Sequence, residues 1–284
     1  MTTDINQGDK KHTIAILDLN EGQPNQGMRC IREILQNFGE EHHLNLTIKE
    51  FDVRAKNEIP DINEFDTYIS SGGPGSPYDG EGKEWEERYF GLLEQIWNHN
   101  KKSKNKKYLF LICHSFQMAC RYFKIADVVP RKSQAFGIFP IHLTPNGVAD
   151  PVLKDLSDPF YGVDSRDWQA IQPNLNQIEK IGAKILAIEK ERPHVPLERC
   201  IMAARFSPEI VGTQFHPEAD AGGMHRYLLM EEKKQVIIKN HGEAKYEQML
   251  QDVNDPAKLE LTQTQIIPTF LEKALLSPVA LACY

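Results

Sequence analysis

Three short stretches carry the residue types from which a covalent catalyst is built. In Ile112-Cys113-His114-Ser115-Phe116-Gln117, the cysteine falls where an apolar, β-favouring run from Tyr108 to Ile112 ends. A helical pattern starts directly behind it, with Phe116, Ala119, Cys120 and Phe123 at i, i+3, i+4 and i+7. A thiol at such a turn sits beside the positive end of a helix, where the thiolate is favoured. Ser71-Gly-Gly-Pro-Gly-Ser-Pro77 follows the strand-like run Thr67 to Ser70 and offers backbone N–H groups free of side-chain obstruction, suited to a developing oxyanion. Gln214-Phe-His216-Pro217-Glu218 closes the last apolar run. Residues two apart in an extended chain point the same way, so His216 and Glu218 share a face, and Pro217 holds His216 extended. A cysteine needs a base and the base needs an orienting acceptor; Cys113, His216 and Glu218 supply that set. Each member alone reads plainly as a buried cysteine, an ordinary histidine or a turn. Their joint occurrence at element ends is what points to chemistry.

The elements that must position them alternate. Thr13 to Leu19 is a near-continuous apolar run, as a strand buried on both faces requires. Asn20 to Gly27 is a loop by composition. Met28, Ile31, Ile34, Leu35 and Phe38 follow helical spacing, with Gly39 as the expected stop. Leu44 to Phe51 and Thr67 to Ser70 read as strands, and Trp85, Tyr89, Leu92, Leu93, Ile96 and Trp97 as a helix facing a sheet. This rhythm predicts an α/β fold, an open, mostly parallel sheet with helices on both faces. In such sheets ligands bind beyond the carboxyl ends of the strands, which puts all three stretches on one edge. Beyond residue 125, Gln134 to Thr144 and Lys184 to Ile188 read as strands without a comparable helix between them. Cys200 to Phe206 and Ile210 to Phe215 read as an antiparallel hairpin. From Gly222 onward the chain turns helical and charged, Ile266 to Leu276 being the better helix candidate, with Pro268 near its start.

A chain of 284 residues is long enough to bury a full core. With 40% hydrophobic and 26% charged residues, mean hydropathy −0.48 and net charge −7, it lacks the basic surface of a nucleic-acid binder. No apolar run approaches the roughly 18 residues of a membrane span. The polar start, Met1 to His12, has no signal-peptide core, so a cytoplasmic location is expected. Five cysteines without zinc or CxxC spacing predict no disulfide framework and no metal site, and nothing in the sequence calls for a cofactor.

Ser71-Gly-Gly-Pro-Gly-Ser-Pro77, Ile112-Cys113-His-Ser-Phe-Gln117 and Gly212-Thr-Gln-Phe-His216-Pro-Glu218 together resemble the three signature segments of class I glutamine amidotransferases, including the glutaminase domain of GMP synthase. The resemblance covers roughly residues 12 to 220. It implies a flavodoxin-like sheet with added antiparallel strands in that span. The residues outside it read as a mobile tail over 1–11 and a C-terminal helical extension over 221–284, expected to pack on the same domain. The resemblance implies that Cys113 attacks the side-chain amide of glutamine or a γ-glutamyl compound to give a γ-glutamyl thioester, with His216 as base and Glu218 orienting it. Main-chain N–H groups of Gly73 and His114 would form the oxyanion hole, and Gln117 would support the substrate. Arg166 and Asp167 are candidates for holding the amino-acid end, against the plain alternative of a surface pair.

The pattern departs from the family where glycine usually stands two residues before and two after the cysteine; here Leu111 and Ser115 occupy those places. Ser115 is small enough for the elbow to be expected to survive. The sixty-odd residues past the resemblance are too few for an ATP-dependent ligase domain. Ammonia would then pass to a separate synthetase subunit, or the enzyme cleaves γ-glutamyl amides as an end in itself. Two further readings stay open. One is a hydrolase or deglycase of the related cysteine protease-like family, using Cys113 with His114. The other is a catalytically silent binding or scaffold protein.

Overall fold

The computed structural model describes residues 11–193 and 195–276; the segment before Lys11, Cys283 and the apolar end Val279 to Tyr284 lie outside the described residues. The first half alternates as β1 (Lys11–Asp18), α1 (Gln26–Glu41), β2 (Asn45–Asp52), α2 (Val53–Lys56), β3 (Thr67–Ser70), α3 (Glu84–Lys102), β4 (Tyr108–Ile112) and α4 (His114–Phe123). The middle runs β5 (Asp127–Leu143), α5 (Pro145–Val148), β6 (Phe160–Ile171), α6 (Leu175–Ile181), β7 (Lys184–Glu189), β8 (Ile201–Ser207) and β9 (Ile210–Thr213). The last part is helical: α7 (Ala221–Leu229), α8 (Glu231–His241), α9 (Glu243–Val253) and α10 (Pro256–Leu271), with a π-helical turn, Glu272–Leu276.

The nine strands form one sheet in the order β2-β1-β3-β4-β9-β8-β7-β5-β6. From β2 to β9 neighbours are parallel, and from β9 to β6 they are antiparallel. The apolar runs explain why both faces are covered. In β1, Ile14 and Ile16 enter one core with Met28, Ile31 and Leu35 of α1 and Phe270 of α10. Ala15 and Leu17 enter the other, with Trp85, Tyr89 and Leu92 of α3 and Phe116 of α4. β4 divides the same way, Phe110 and Ile112 against Leu109 and Leu111. A strand that alternates between two apolar cores has no polar face, so it reads as a continuous hydrophobic run. Among the described residues, no helix is long and apolar enough to cross a membrane.

The antiparallel strands curl back over the sheet end. Val163 of β6 forms an isolated antiparallel bridge with His216, whose N–H donates to the Val163 carbonyl at 2.8 Å. The expectation of two consecutive strands, Gln134 to Thr144 and Lys184 to Ile188, omitted β6 between them. Its sequence hides the strand: Asp164 and Arg166 are 2% and 4% exposed, so charged residues fill positions that an apolar pattern would mark as buried. They are tolerated there because Arg166 Nε donates to both Asp164 oxygens, at 2.8 and 3.0 Å.

Two helix boundaries also differ from expectation. α1 runs past Gly39 to Glu41, with Gly39 lying flat against Leu46 rather than ending the helix. The helix expected from Ile266 instead begins at Pro256 and carries Pro268 inside it. Proline in a helix interior removes a hydrogen bond. Burial overrides that cost here, since Ile266, Ile267 and Leu271 are fully buried and Phe270 packs edge-on to Phe110 at 5.3 Å. Phe270→Ala should therefore lower unfolding free energy by about 3–5 kcal/mol. A urea unfolding midpoint within error of wild type would show that α10 is not part of the core.

Candidate active site

Cys113 stands between β4 and α4 at φ 50°, ψ −97°, a positive-φ conformation that a residue with a side chain adopts only when its surroundings enforce it. The enforcement is visible. Its N–H donates to the Thr213 carbonyl at 2.7 Å, and its carbonyl accepts from Gln117 N at 2.9 Å. Ser115 Oγ accepts from Ile112 N at 2.8 Å and donates to the Ser70 carbonyl at 2.9 Å, so the residue found in place of a glycine pins the turn from inside. The other expected glycine is replaced by Leu111, and the missing space appears on the neighbouring strand. Leu111 pairs with Gly212, where a methyl group would lie 2.9 Å from both Leu111 Cβ and Phe116 Cδ2.

β9 supplies the other half of the site. Past Thr213 the chain presents His216 to the thiol. Its Nδ1–H donates to Glu218 Oε1 at 2.8 Å, and the Cys113 side chain lies close enough to favour the imidazole's charged form. A methyl built on Gly72 would sit 2.9 Å from His216 Cε1 and 3.7 Å from Cys113 Cβ, which locates the glycine loop directly over the pair. Gly73 rests on the Leu19 carbonyl so closely that a Cβ would come within 2.5 Å of the oxygen. Only glycine permits that approach. Arg54 of α2 holds the loop from below, donating from Nη1 to the Pro74 carbonyl at 2.6 Å.

Electrostatics separate the two candidate bases. Burial disfavours the His216 cation, but Glu218 and the Cys113 side chain outweigh it and raise the His216 pKa well above its ordinary value. Glu218 is 2% exposed, with Oε1 within 3.1 Å of where a Cβ of Gly27 would be, so the first turn of α1 faces its negative charge. His114 behaves oppositely. Burial, reinforced by Arg54, pushes its pKa down to about 3, and its side chain is 1% exposed. A neutral imidazole that resists protonation is a poor general base.

Cys113, His114, Gln117, Gly73, His216, Glu218, Arg166 and Asp167 all border one cavity of about 430 Å³. Gln117 does not face the thiol alone. Its Nε2 donates to Gln214 Oε1 at 3.0 Å and to the Trp168 carbonyl at 3.2 Å, while Gln214 Nε2 reaches Cys113 Sγ at 3.6 Å. Asp167 is exposed at the cavity wall. Arg166, expected to be a surface residue or a substrate ligand, is buried and its guanidinium is committed. Besides Asp164 it donates to the Trp168 carbonyl, Glu189 Oε1 and Cys200 Sγ. The residues that sequence reasoning passed over are Gln214, Arg54 and Ser165, whose carbonyl lies 3.8 Å from Cys113 Sγ. Gln214 was within reach, being two residues before His216 on the same extended face. Arg54 and Ser165 had no local signal. Among the described residues no group of three or more His, Cys, Asp or Glu is placed to hold a metal ion.

The raised His216 pKa fixes a sign. Stability from the imidazolium is fully present below the unfolded value near 6.5 and is lost as pH rises through the higher folded value. NMR titration of His216 should give a midpoint above 6.5 in the wild-type protein, and Glu218→Gln should move it down. An unchanged midpoint in Glu218→Gln would remove Glu218 as the orienting partner.

Comparison with known proteins bears on this geometry. The family model for Glutamine amidotransferase class-I matches residues 27–236. Comparison with curated protein sequences gives no significant match. The fold is similar to that of a glutamine amidotransferase from Thermotoga maritima, with TM-score 0.68 and 15% identity over 94% of this chain and 99% of that one. It is also similar to a glutamine amidotransferase from Methylobacillus flagellatus, with TM-score 0.61 and 12% identity over 95% and 94%. A third likeness is to the glutaminase domain of Trypanosoma brucei CTPS with bound acivicin, with TM-score 0.52 and 13% identity over 73% and 86%. The structural likenesses speak for the fold; the family match spans most of the sequence, and the chain belongs to the class-I glutamine amidotransferases.

Proposed function

We propose that this protein hydrolyses the side-chain amide of glutamine, or of a γ-glutamyl compound, through a covalent γ-glutamyl thioester on Cys113. The observation that carries this assignment is the line Cys113–His216–Glu218 beneath the Gly73 loop at one side of the cavity. The thiolate of Cys113 adds to the γ-carbonyl carbon. The oxygen that becomes negative is taken by the main-chain N–H groups of Gly73 and His114. His114 opens α4, so its N–H has no carbonyl one turn earlier in that helix to bond. His216, held by Glu218, gives its proton to the leaving nitrogen as the C–N bond breaks. It then takes a proton from the water that attacks the thioester, which releases glutamate and restores the thiol.

At the acyl end, Asp167 is the candidate for the substrate's ammonium group, and Gln117 fixes Gln214 beside the sulfur. With its donors committed, Arg166 is better assigned to holding β6, and so the Ser165 carbonyl, at the correct distance from the thiol. The ammonia produced from glutamine would go to a separate synthetase subunit; a γ-glutamyl amide would simply be cleaved.

Glutamate release from glutamine should vanish in Cys113→Ala and fall at least about a hundredfold in His216→Ala. His114→Ala should lose far less, because its part is played by a backbone N–H. The reverse ranking of the two histidine variants would favour the cysteine protease-like alternative. Wild-type protein that neither hydrolyses any γ-glutamyl amide nor is labelled at Cys113 by a glutamine-analogue electrophile would favour a silent scaffold.

A further inference from the structure

The cavity exceeds what glutamine needs. Allowing each non-hydrogen atom of glutamine as much as the roughly 30 Å³ of a liquid water gives an upper bound of roughly 300 Å³, against a cavity of about 430 Å³. The surplus has a direction, because β6 lines the site lengthwise. Val163 touches the His216 backbone, the Ser165 carbonyl faces the thiol, and Trp168 meets Gln117 beyond. At about 3.3 Å per residue, Val163 and Asp167 are roughly 13 Å apart. The glutamyl part therefore extends from the thiol toward Asp167, and the leaving nitrogen, which must meet His216, points toward Val163.

That end is apolar and aromatic. Val163 belongs to a cluster with Leu228, against which Phe136 and Met224 pack. Phe136, paired with Ser165 across β5 and β6, lies against Tyr227 of α7 with ring centroids 5.3 Å apart. Phe136, Met224 and Tyr227 are half-buried and all border the cavity. Ammonia has no use for such a wall. A half-exposed aromatic pair offers contact area to a ring or an alkyl body. Lys233 stands with Nζ 5.3 Å from the centre of the Tyr227 ring, placing a cation beside that ring.

We propose that the preferred substrate is a γ-glutamyl amide whose amine carries an apolar, preferably aromatic, body seated between Phe136, Met224 and Tyr227. This deepens the function proposed above and rests on it. The amide C–N bond breaks as the Cys113 thioester forms, the His216 proton goes to the departing amine, and water then cleaves the thioester to glutamate. The same apolar body occurs in simple arylalkyl amines and in aromatic amino acids, whose carboxylate would meet Lys233.

Full-length protein is assayed for glutamate release with glutamine, γ-glutamyl phenethylamide and γ-glutamyl phenylalanine. The kcat/KM for the phenethylamide should exceed that for glutamine at least tenfold. A further gain with γ-glutamyl phenylalanine that disappears in Lys233→Ala assigns the dipeptide as the source; equal values assign the simple amine. The aryl-over-glutamine ratio should fall about tenfold in both Tyr227→Ala and Phe136→Ala, and Tyr227→Phe should restore it, which separates ring contact from a folding defect. Wild-type protein that hydrolyses glutamine as well as or better than both conjugates overturns this inference and leaves the Cys113 chemistry standing. A ratio unmoved by the Tyr227 and Phe136 variants also overturns it. Hydrolysis of none of the three substrates overturns both.

Discussion

The backbone at Cys113 is the constraint on which the site depends. A residue with a side chain at φ 50° costs of order 1–3 kcal/mol and persists only where neighbours over-determine it. Here the restraint comes from both neighbouring strands: Ser70 of β3 accepts from Ser115, Thr213 of β9 accepts from Cys113, and Gly212 of β9 leaves room for Leu111. The Thr213 bond does more than hold the turn. Ile112 pairs with Thr213, so the register between β4 and β9 sets the distance between the cysteine and the histidine three residues beyond Thr213. A one-residue slip would reverse every side chain of β9 and remove the site with it.

Electrostatic arrangement follows from that geometry. The His216 cation is favoured because Glu218 and the Cys113 side chain outweigh its burial, and Glu218 is placed so that α1 presents its first turn to the carboxylate. His114, one residue from the thiol, is kept neutral by burial and by Arg54. The same Arg54 ties down the Pro74 carbonyl. One buried guanidinium thus shapes the glycine loop and removes a competing base. On the far wall a second one, Arg166, joins Asp164 and Glu189 and fixes the strand that faces the sulfur. Buried charges of this kind contribute little net stability but specify one arrangement of the groups around them, since each would be costly if left unpaired.

What could be read from the sequence follows from the same physics. β1, β3 and β4 alternate between two apolar cores and so announce themselves as apolar runs, and the β8–β9 hairpin is marked by Ser207-Pro208-Glu209. The elbow was legible because an apolar run stops at Cys113 and a helical period starts behind it. β6 was not, because its buried positions hold Asp164 and Arg166, which are tolerated there by pairing with each other and, for Arg166, with the sequence-distant Glu189. Nor was the true extent of α10, where burial of Ile266, Ile267 and Leu271 overrides Pro268. Asn20 to Gly27 read only as a loop, yet Asn25 caps α1, accepting from Met28 N at 2.9 Å, and Gly27 lies beside Glu218. Roles of that sort are set by what the fold brings near, and no local pattern encodes them.

The C-terminal helices show how such long-range placement reaches the chemistry. β6 ends the sheet by pairing, and an uncovered edge strand would be open to association with other chains. α10 lies along it, Thr262 donating to the Tyr161 carbonyl, and Leu228, Ile237, Met249 and Leu259 from all four helices join Ile138 and Val163 in one cluster. That cluster is continuous with the cavity, because Val163 also bridges to His216. Helices that cover the sheet edge therefore also form the wall beside the imidazole. Substitutions in α7 can change what fits beside His216 while leaving the elbow untouched, since the backbone at Cys113 is held by β3, by β9 and by Ser115 and Gln117 of α4, and by no residue of α7 among the contacts described above. Shape at the leaving-group end and strain at the nucleophile are thus under separate structural control.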